Sequence, residues 1–421
     1  MSKKLAIRAA ILIVSMVILF TGYQWFQTWS LDPENEAKVD TTGAIAALEM
    51  TGSNPKAVVF LADGTEKSAP ELPEGRQDRE ISWGATGSHV FISSNREDDS
   101  FNIYRWNPIN GSFDRRSQGT RSKAAPFFVL DGTVESQRRG LVTGGGAVSI
   151  YDPKMMTMEQ ILPPLERGVD SSDEGGGMVG PMSGAYKNIG DSFKSARYVG
   201  GNKLIYTLMR REGGEILVVS NLEPVQRPDG TMSPPPPIPI MAGRKLAWDV
   251  APNGAAVVAV NDFQWPDPDQ VPPDFVKNGE ATTPFRHALM SLPSPTGGPG
   301  QQQGPIVIFP DSGQKAGDIA ISPDGSRVAV VIGIEKDENF VPQGLVVFPN
   351  MPGGGQQGVP VSEGAISAPS WSPDGKELVY LKTSGGKRGI FRVGAGGGVE
   401  KRVGKTDKDY RSPKFSPQAA S

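Results

Sequence analysis

Apolar residues fall into two patterns along this chain. From Ala9 to Phe20 they form one unbroken run, AAILIVSMVILF; from about residue 43 onward they recur in short alternating stretches bounded by Gly, Pro, Asn and Asp. Counted through Phe26, the first pattern covers about 18 residues, enough to cross a bilayer as a helix. The second is the period-two signature of half-buried antiparallel strands. It predicts an all-β domain over residues 43–417, with a short tail at 418–421.

The flanks of the apolar run decide how it is read. Lys3, Lys4 and Arg8 precede it, and Tyr23, Trp25, Phe26 and Trp29 follow. Basic residues favour the cytoplasmic side, and aromatic rings favour the membrane–water interface. A cleavable signal needs small residues three and one before the cut. Phe20 spoils that pattern near Gly22, and Gln24–Trp29 holds no small pair. The expectation is an uncleaved single-pass signal-anchor helix at 9–29 with a cytoplasmic tip at 1–8. An acidic linker at 30–42, carrying Asp32, Glu34 and Glu36, then leads to a β domain on the extracytoplasmic side, periplasmic or cell-surface.

Within the β domain one unit repeats. In Trp371–Gly394 a strand ends at Trp371, Ser372-Pro373-Asp374-Gly375 turns the chain, and two further strands follow around a Gly-rich turn. Proline presets φ, aspartate caps the turn amides and glycine relieves the exit. The unit returns around Ser322-Pro323-Asp324-Gly325, again from Val250 with asparagine for aspartate, and without the proline at Ile81–Trp106 and Tyr198–Asn221. A weak copy lies between Phe127 and Pro153. The landmarks Trp83, Phe128, Val199, Val250, Ile321, Trp371 and Phe415 are roughly 44 to 71 residues apart, the spacing of four-stranded propeller blades with insertions. Ser412–Pro417 reads as the first strand of a unit that then stops. Ala44–Met50, Ala57–Gly64 and a stretch near Ser68–Leu72 read as the second to fourth strands of a unit lacking its first. Joined, they make one blade from both termini and remove the free sheet edges. The expected fold is a β-propeller of seven four-stranded blades, or six if the weak unit does not count.

The SPDG turns, their hairpins and Ser94-Asn95-Arg96 resemble the propeller repeats of TolB-type periplasmic proteins, within the wider class of WD-type repeats. The resemblance spans roughly Thr42 to Pro417. It implies a place in a cell-envelope complex. The α/β domain that precedes the propeller in TolB proteins has no counterpart in the dozen or so linker residues after Ser30. Four insertions interrupt the units: Glu166–Asp191, Pro224–Ala242 with its Pro234–Pro237 run, Trp265–Phe285 and Ser294–Pro305. They read as mobile surface decoration, the proline run as an extended spacer.

Composition narrows the chemistry. Gly (52) and Pro (37) make up about a fifth of the 421 residues, which suits many short strands and turns. A net charge of −3 leaves no basic footprint for nucleic acid. The absence of cysteine excludes disulfides, thiolate zinc sites, lipidated cysteines and cysteine nucleophiles. His89 and His287, the only histidines, read as strand residues rather than ligands. Gly180-Pro181-Met182-Ser183-Gly184 misplaces the serine of a nucleophile elbow by one position.

The acidic groups Asp98–Asp99, Asp170–Asp173–Glu174 and Asp267–Asp269–Asp274 lack EF-hand spacing and read as solvated loop charge. Convergence of Asp98, Asp170, Asp267 and Asp311 on one face, at metal-ligand distance, would instead mark a calcium or ligand site. Trp83 and Trp371 read as packing between blades. Lys387, Arg388, Lys401, Arg402, Lys405, Lys408 and Arg411 make the last unit locally basic, with Glu400, Asp407 and Asp409 offsetting them. No catalytic, metal or cofactor residue is assigned. The expectation is a membrane-anchored interaction scaffold that engages another envelope protein. The alternatives are a propeller enzyme or small-ligand or calcium binder using loop carboxylates, and a sensor needing a partner helix.

Overall fold

The computed structural model describes residues 40–417 apart from short stretches, the longest being 118–123, 129–139, 163–191 and 293–303. Lys3, Lys4, Arg8, Trp25, Trp29, Asp170, Asp173, Glu174 and the 180–184 segment lie outside the described residues. Among the described residues no helix is long and apolar enough to cross a membrane.

The described residues form antiparallel sheets with two short 3-10 turns. Sheet I holds Asp78–Trp83, Val90–Ser94, Asn102–Trp106 and Phe113–Arg115. Sheet II holds Ala124–Phe128, Gly140–Gly144, Ala147–Asp152 and Thr157–Leu162. Sheet III has seven strands: Ser192–Tyr198, Lys203–Met209, Glu215–Asn221, Ile238–Val250, Ala256–Gln264, His287–Leu292 and Gly304–Phe309. Sheet IV holds Gln314–Ile321, Arg327–Lys336, Asn339–Pro349 and Val359–Glu363. Sheet V holds Ile366–Trp371, Glu377–Ser384, Lys387–Gly394 and Lys401–Val403.

The closing sheet sets the C-terminal strand Asp409–Phe415 beside Ile45–Thr51, followed by Asn54–Phe60 and Glu66–Ser68. Its register pairs Ile45 with Phe415 and Glu49 with Tyr410. The two ends of the described chain therefore share one sheet, as the incomplete terminal units predicted. The landmark residues each end, or directly follow, the first strand of a unit. In sheet III the 13-residue strand Ile238–Val250 pairs with Glu215–Asn221 through its first half and with Ala256–Gln264 through its second. It is the last strand of one unit and the first of the next.

First strands of successive sheets pack on one another: I on II, Ile238–Val250 on IV, IV on V, V on the closing strand, and that strand on I. This is a β-propeller, with sheets radiating from an axis lined by first strands. Its core lies between adjacent sheets. Trp371 packs with Ala320, Leu345 and Tyr380 between sheets IV and V, and Trp83 packs with Leu48, Val59 and Ile92 between the closing sheet and sheet I. Each indole also donates to a carbonyl of the preceding first strand: Trp371 Nε1 to Ala320 O at 2.8 Å, and Trp83 Nε1 to Lys414 O at 3.0 Å. Burial of a ring and satisfaction of its N–H coincide at both sites.

The SPDG turns are polar staples. Ser322 Oγ accepts from Arg327 N at 2.9 Å and donates to Asp324 at 2.6 Å; Ser372 Oγ treats Glu377 N and Asp374 alike, at 2.9 and 2.7 Å. Gly325 and Gly375 take φ of 75° and 68°, which only glycine adopts without strain. Turns of neighbouring sheets are linked: Asn253 Nδ2 donates to Asp324 O at 2.8 Å, and Arg327 Nη2 to Gly375 O at 2.6 Å.

Hydroxyl hydrogen bonds from Ser322 and Ser326 hold the Asp324 carboxyl down at about 2. A depressed carboxyl pKa stabilises the fold above its unfolded value near 3.9, and that contribution is lost as pH falls towards 2. Asp324→Ala should cost about 1 kcal/mol or less near neutrality, because the group is exposed and solvent screens it. Urea midpoints of the two proteins should converge as the pH drops through that window; a constant gap would contradict the capping role.

Candidate functional site

In each four-stranded antiparallel unit the first-to-second and third-to-fourth turns fall on one side of the ring, here termed the exit face. The second-to-third turns and inter-sheet connections fall on the other, the entry face. Near the entry end the first strands are irregular: pairing slips between Asp78 and Glu80, Phe193 and Ser195, Ala316 and Ile319, Ser367 and Ser370, and again opposite Ala46 and Leu48. Such bulges re-aim side chains at the rim of a ring. They also account for the left-handed backbone of Ala368 and Ser412, each with φ of 51°.

The axis is charged. Arg197, on the first strand of sheet III, feels Asp249 and Glu80; Lys414, on the closing strand, feels Asp249, Asp318 and Arg197. Five first strands thus contribute charge to one channel. Lys414 is exposed to solvent on the axis, and desolvation by the neighbouring strands pulls its ammonium pKa below the usual value. Asp249 Oδ2 accepts from Ile321 N at 3.1 Å, and Asp318 Oδ2 from Ala368 N at 2.8 Å, so the axial carboxylates also tie one first strand to the next.

A cleft of about 290 Å³ opens between sheets III and IV at the entry end, with Lys194, Lys245, Asp318 and Phe340 in its wall. Its floor is an ionic cluster around Asp262, which sits at φ 52° after a run of apolar strand residues. Arg244 Nε, Arg286 Nε and Lys315 Nζ each lie 3.1 Å from its carboxylate. Glu335 pairs with Arg244 and Lys315 in turn. Burial pushes the Asp262 carboxyl up, but hydrogen bonds from Lys315 and Arg286 outweigh it and hold the pKa below the ordinary range. The Lys315 hydrogen bond does the same for Glu335.

His287 is buried beside this cluster. Its Nδ1 accepts from Asp262 N at 3.1 Å, and burial lowers its pKa despite Asp262. It braces the Asp262 backbone as a neutral ring. His89 is a buried residue just before Val90–Ser94.

The other candidates are put to local use. Asp98, Asp267 and Asp311 all lie in entry-face connections, as convergence required. Asp98, however, holds Arg115 and Asn102, and Asp267 caps a 3-10 turn at Asp269 N. Among the described residues no group of three His, Asp or Glu stands close enough to hold a metal. The basic stretch of the last unit joins sheet V to the closing sheet: Arg388 binds Asp409 at 2.5 Å, Lys408 binds Glu49 at 2.7 Å and Lys387 donates to Asp407 O at 2.6 Å.

Two insertions depart from the expectation of loose decoration. Trp265–Phe285 is folded: Trp265 packs against Phe263 and Phe275 at 5.2 and 5.3 Å between ring centroids, and its Nε1 donates to Thr282 O at 2.9 Å. The proline run gives way to strand at Ile238, because Ile238 and Pro239 pair with Val219 and Val218. The Asp262 cluster has no sequence signature, because its members are scattered from Arg244 to Glu335 and form no motif. The one local cue is an aspartate just past the buried part of a strand.

No family model matches the chain, and no curated protein matches it. Solved structures do. An oligogalacturonate lyase in complex with manganese aligns at a TM-score of 0.50 with 12% identity, covering 87% of each chain. The oligogalacturonate lyase of Vibrio parahaemolyticus aligns at 0.49 with 11% identity, again over 87% of each chain. TolB from Acinetobacter baumannii aligns at 0.40 with 11% identity, covering 89% of this chain and 83% of TolB. At these identities the likeness is one of fold alone: the chain shares the β-propeller.

Proposed function

We propose that this chain is a membrane-anchored extracytoplasmic propeller with TolB-like repeats, an interaction scaffold that offers its entry face to another envelope protein. Counting sheet III as two blades sharing Ile238–Val250 makes seven blades. The observation that carries the reading is the charged entry mouth, whose acids and bases are committed to one another. A general acid wants a raised carboxyl pKa, whereas Asp262 and Glu335 are held below theirs. Fixed, alternating charge around a cleft suits recognition of a complementary surface. Ala9–Phe26 with its basic and aromatic flanks supports the anchor.

A photocrosslinker replacing Lys245 or Asn339 on the entry face, or Lys376 on the exit face, tests this in the full chain expressed in a bacterial host. The chain should sediment with membranes, and the entry-face positions alone should give a discrete adduct. Lys245→Glu, an exposed change in the cleft wall, should cut the Asn339 adduct about tenfold without changing the melting temperature. Equal labelling from both faces, or none, would sink the scaffold; recovery in the soluble fraction would sink the anchor.

A second reading, an anionic ligand held in the channel, is favoured by Lys414, whose ammonium has no hydrogen-bond partner among the described residues. In that case polycarboxylates should raise the melting temperature, and Lys414→Met should abolish the shift.

A further inference from the structure

We infer that the exit-face rim of the propeller lies against the surface of a lipid bilayer. The inference rests on the anchor reading above. Eight large apolar side chains are exposed among the described residues, and five of them occupy third-to-fourth-strand corners: Ile109, Ile238, Met351, Val359 and Val399. Those corners are a small part of the chain, so chance scatter of surface apolar residues does not account for the clustering. They belong to sheet I, to the first unit of sheet III, and to sheets IV and V, so they ring one face rather than form one patch. Val399 is 84%, Ile238 63% and Met351 55% exposed. Exposed Lys401 stands beside Val399 and can meet an anionic headgroup. The closing sheet's own corner carries Asp63 instead and takes no part.

What identifies the occupant is where the N-terminal chain enters. Thr41 Oγ1 donates to Gly87 O at 2.9 Å and lies 2.8 Å from Ser416 Oγ. Gly87 is in the first-to-second turn of sheet I and Ser416 follows the closing strand, so the chain joins the ring on the exit face. Leu31–Asp40 spans at most about 35 Å when extended. A helix anchored by Trp25 and Trp29 therefore keeps this face, and not the entry face, next to the bilayer. Tethering raises the effective concentration of the rim at the lipid surface, so shallow insertion of several side chains suffices.

The chain has no cysteine, so single labels report cleanly. Full-length Val399→Cys, Met351→Cys and Ile109→Cys, and Asn339→Cys on the entry face, would carry a fluorophore. Each would be reconstituted into phosphatidylethanolamine–phosphatidylglycerol vesicles containing nitroxide lipids. Several-fold stronger quenching at the three rim positions than at Asn339 is the expected result. Quenching no greater than at Asn339, in protein that still floats with the vesicles, would overturn the docking while leaving the anchor intact. Failure to float would remove the anchor, and the docking with it.

Discussion

A chain shortened by removal of Asp409 onward will lose cooperative unfolding and behave as an aggregating, partly structured species. That strand is the innermost of the closing sheet, pairing with Ile45–Thr51 across the whole length of the sequence. It buries Tyr410 and Phe415, sets Tyr410 edge-on to Phe60 at 5.6 Å, and supplies the carbonyl that takes the Trp83 indole. Its removal uncovers the ladder edge of Ile45–Thr51 and the flank of Ile366–Trp371 together, and unpaired edges recruit other chains. The loss exceeds the roughly 5–15 kcal/mol that holds a typical domain. Tyr410→Ala is the graded version and should cost about 3–5 kcal/mol, read as a lower urea midpoint with an unchanged slope. If the shortened chain keeps a sharp melt and native near-ultraviolet dichroism, closure through the termini is dispensable.

The second large effect is expected at Arg96. Asp78 is fully buried at the start of sheet I; one carboxylate oxygen accepts from Ala57 N of the closing sheet and the other from Arg96 Nη2, both at 2.9 Å. Arg96 also donates to Ser94 Oγ and Pro70 O, each at 3.3 Å, and lies 4.2 Å over the Phe113 ring. Arg96→Ala would leave a buried carboxylate without its cation, at a cost of about 3–5 kcal/mol. Arg96→Lys should recover only part, since one ammonium does not reproduce a flat fork that meets several oxygens and stacks on a ring. Combining Asp78→Ala with Arg96→Ala should cost clearly less than the sum of the two single changes. Additive losses in thermal and urea unfolding would show that the pair does not act as a unit.

Arg96 also shows how a motif can be legible while its job is not. Ser94-Asn95-Arg96 stands out in the sequence, yet nothing there says that Asn95 Oδ1 accepts from Gln77 N or that Ser94 Oγ donates to Gln77 O. The three residues fasten the second strand of sheet I to the start of its first. Lys408 and Arg388 were likewise visible as positive charge and Asp409 as an offsetting acid, whereas the pairing of Arg388 with Asp409 and of Lys408 with Glu49 emerges only once the closing sheet forms.

What the amino-acid order determined by itself was local and periodic. Alternation made the strands, Pro-Asp-Gly and Asn-Gly made the turns, the recurrence of the unit announced a ring, and the unfinished units at the two ends announced its closure. Strands and turns follow from neighbours within a few residues, where backbone sterics and period-two burial act, and the ring follows from repetition of that local unit. The charged candidate surface was decided only by the tertiary structure. Arg244 and Asp262 come from one sheet and Lys315 and Glu335 from the next, and Glu80, Arg197, Asp249, Asp318 and Lys414 meet because five first strands share an axis. The physical reason is that electrostatic partners are chosen by distance in space, and a propeller sets that distance by closing the ring.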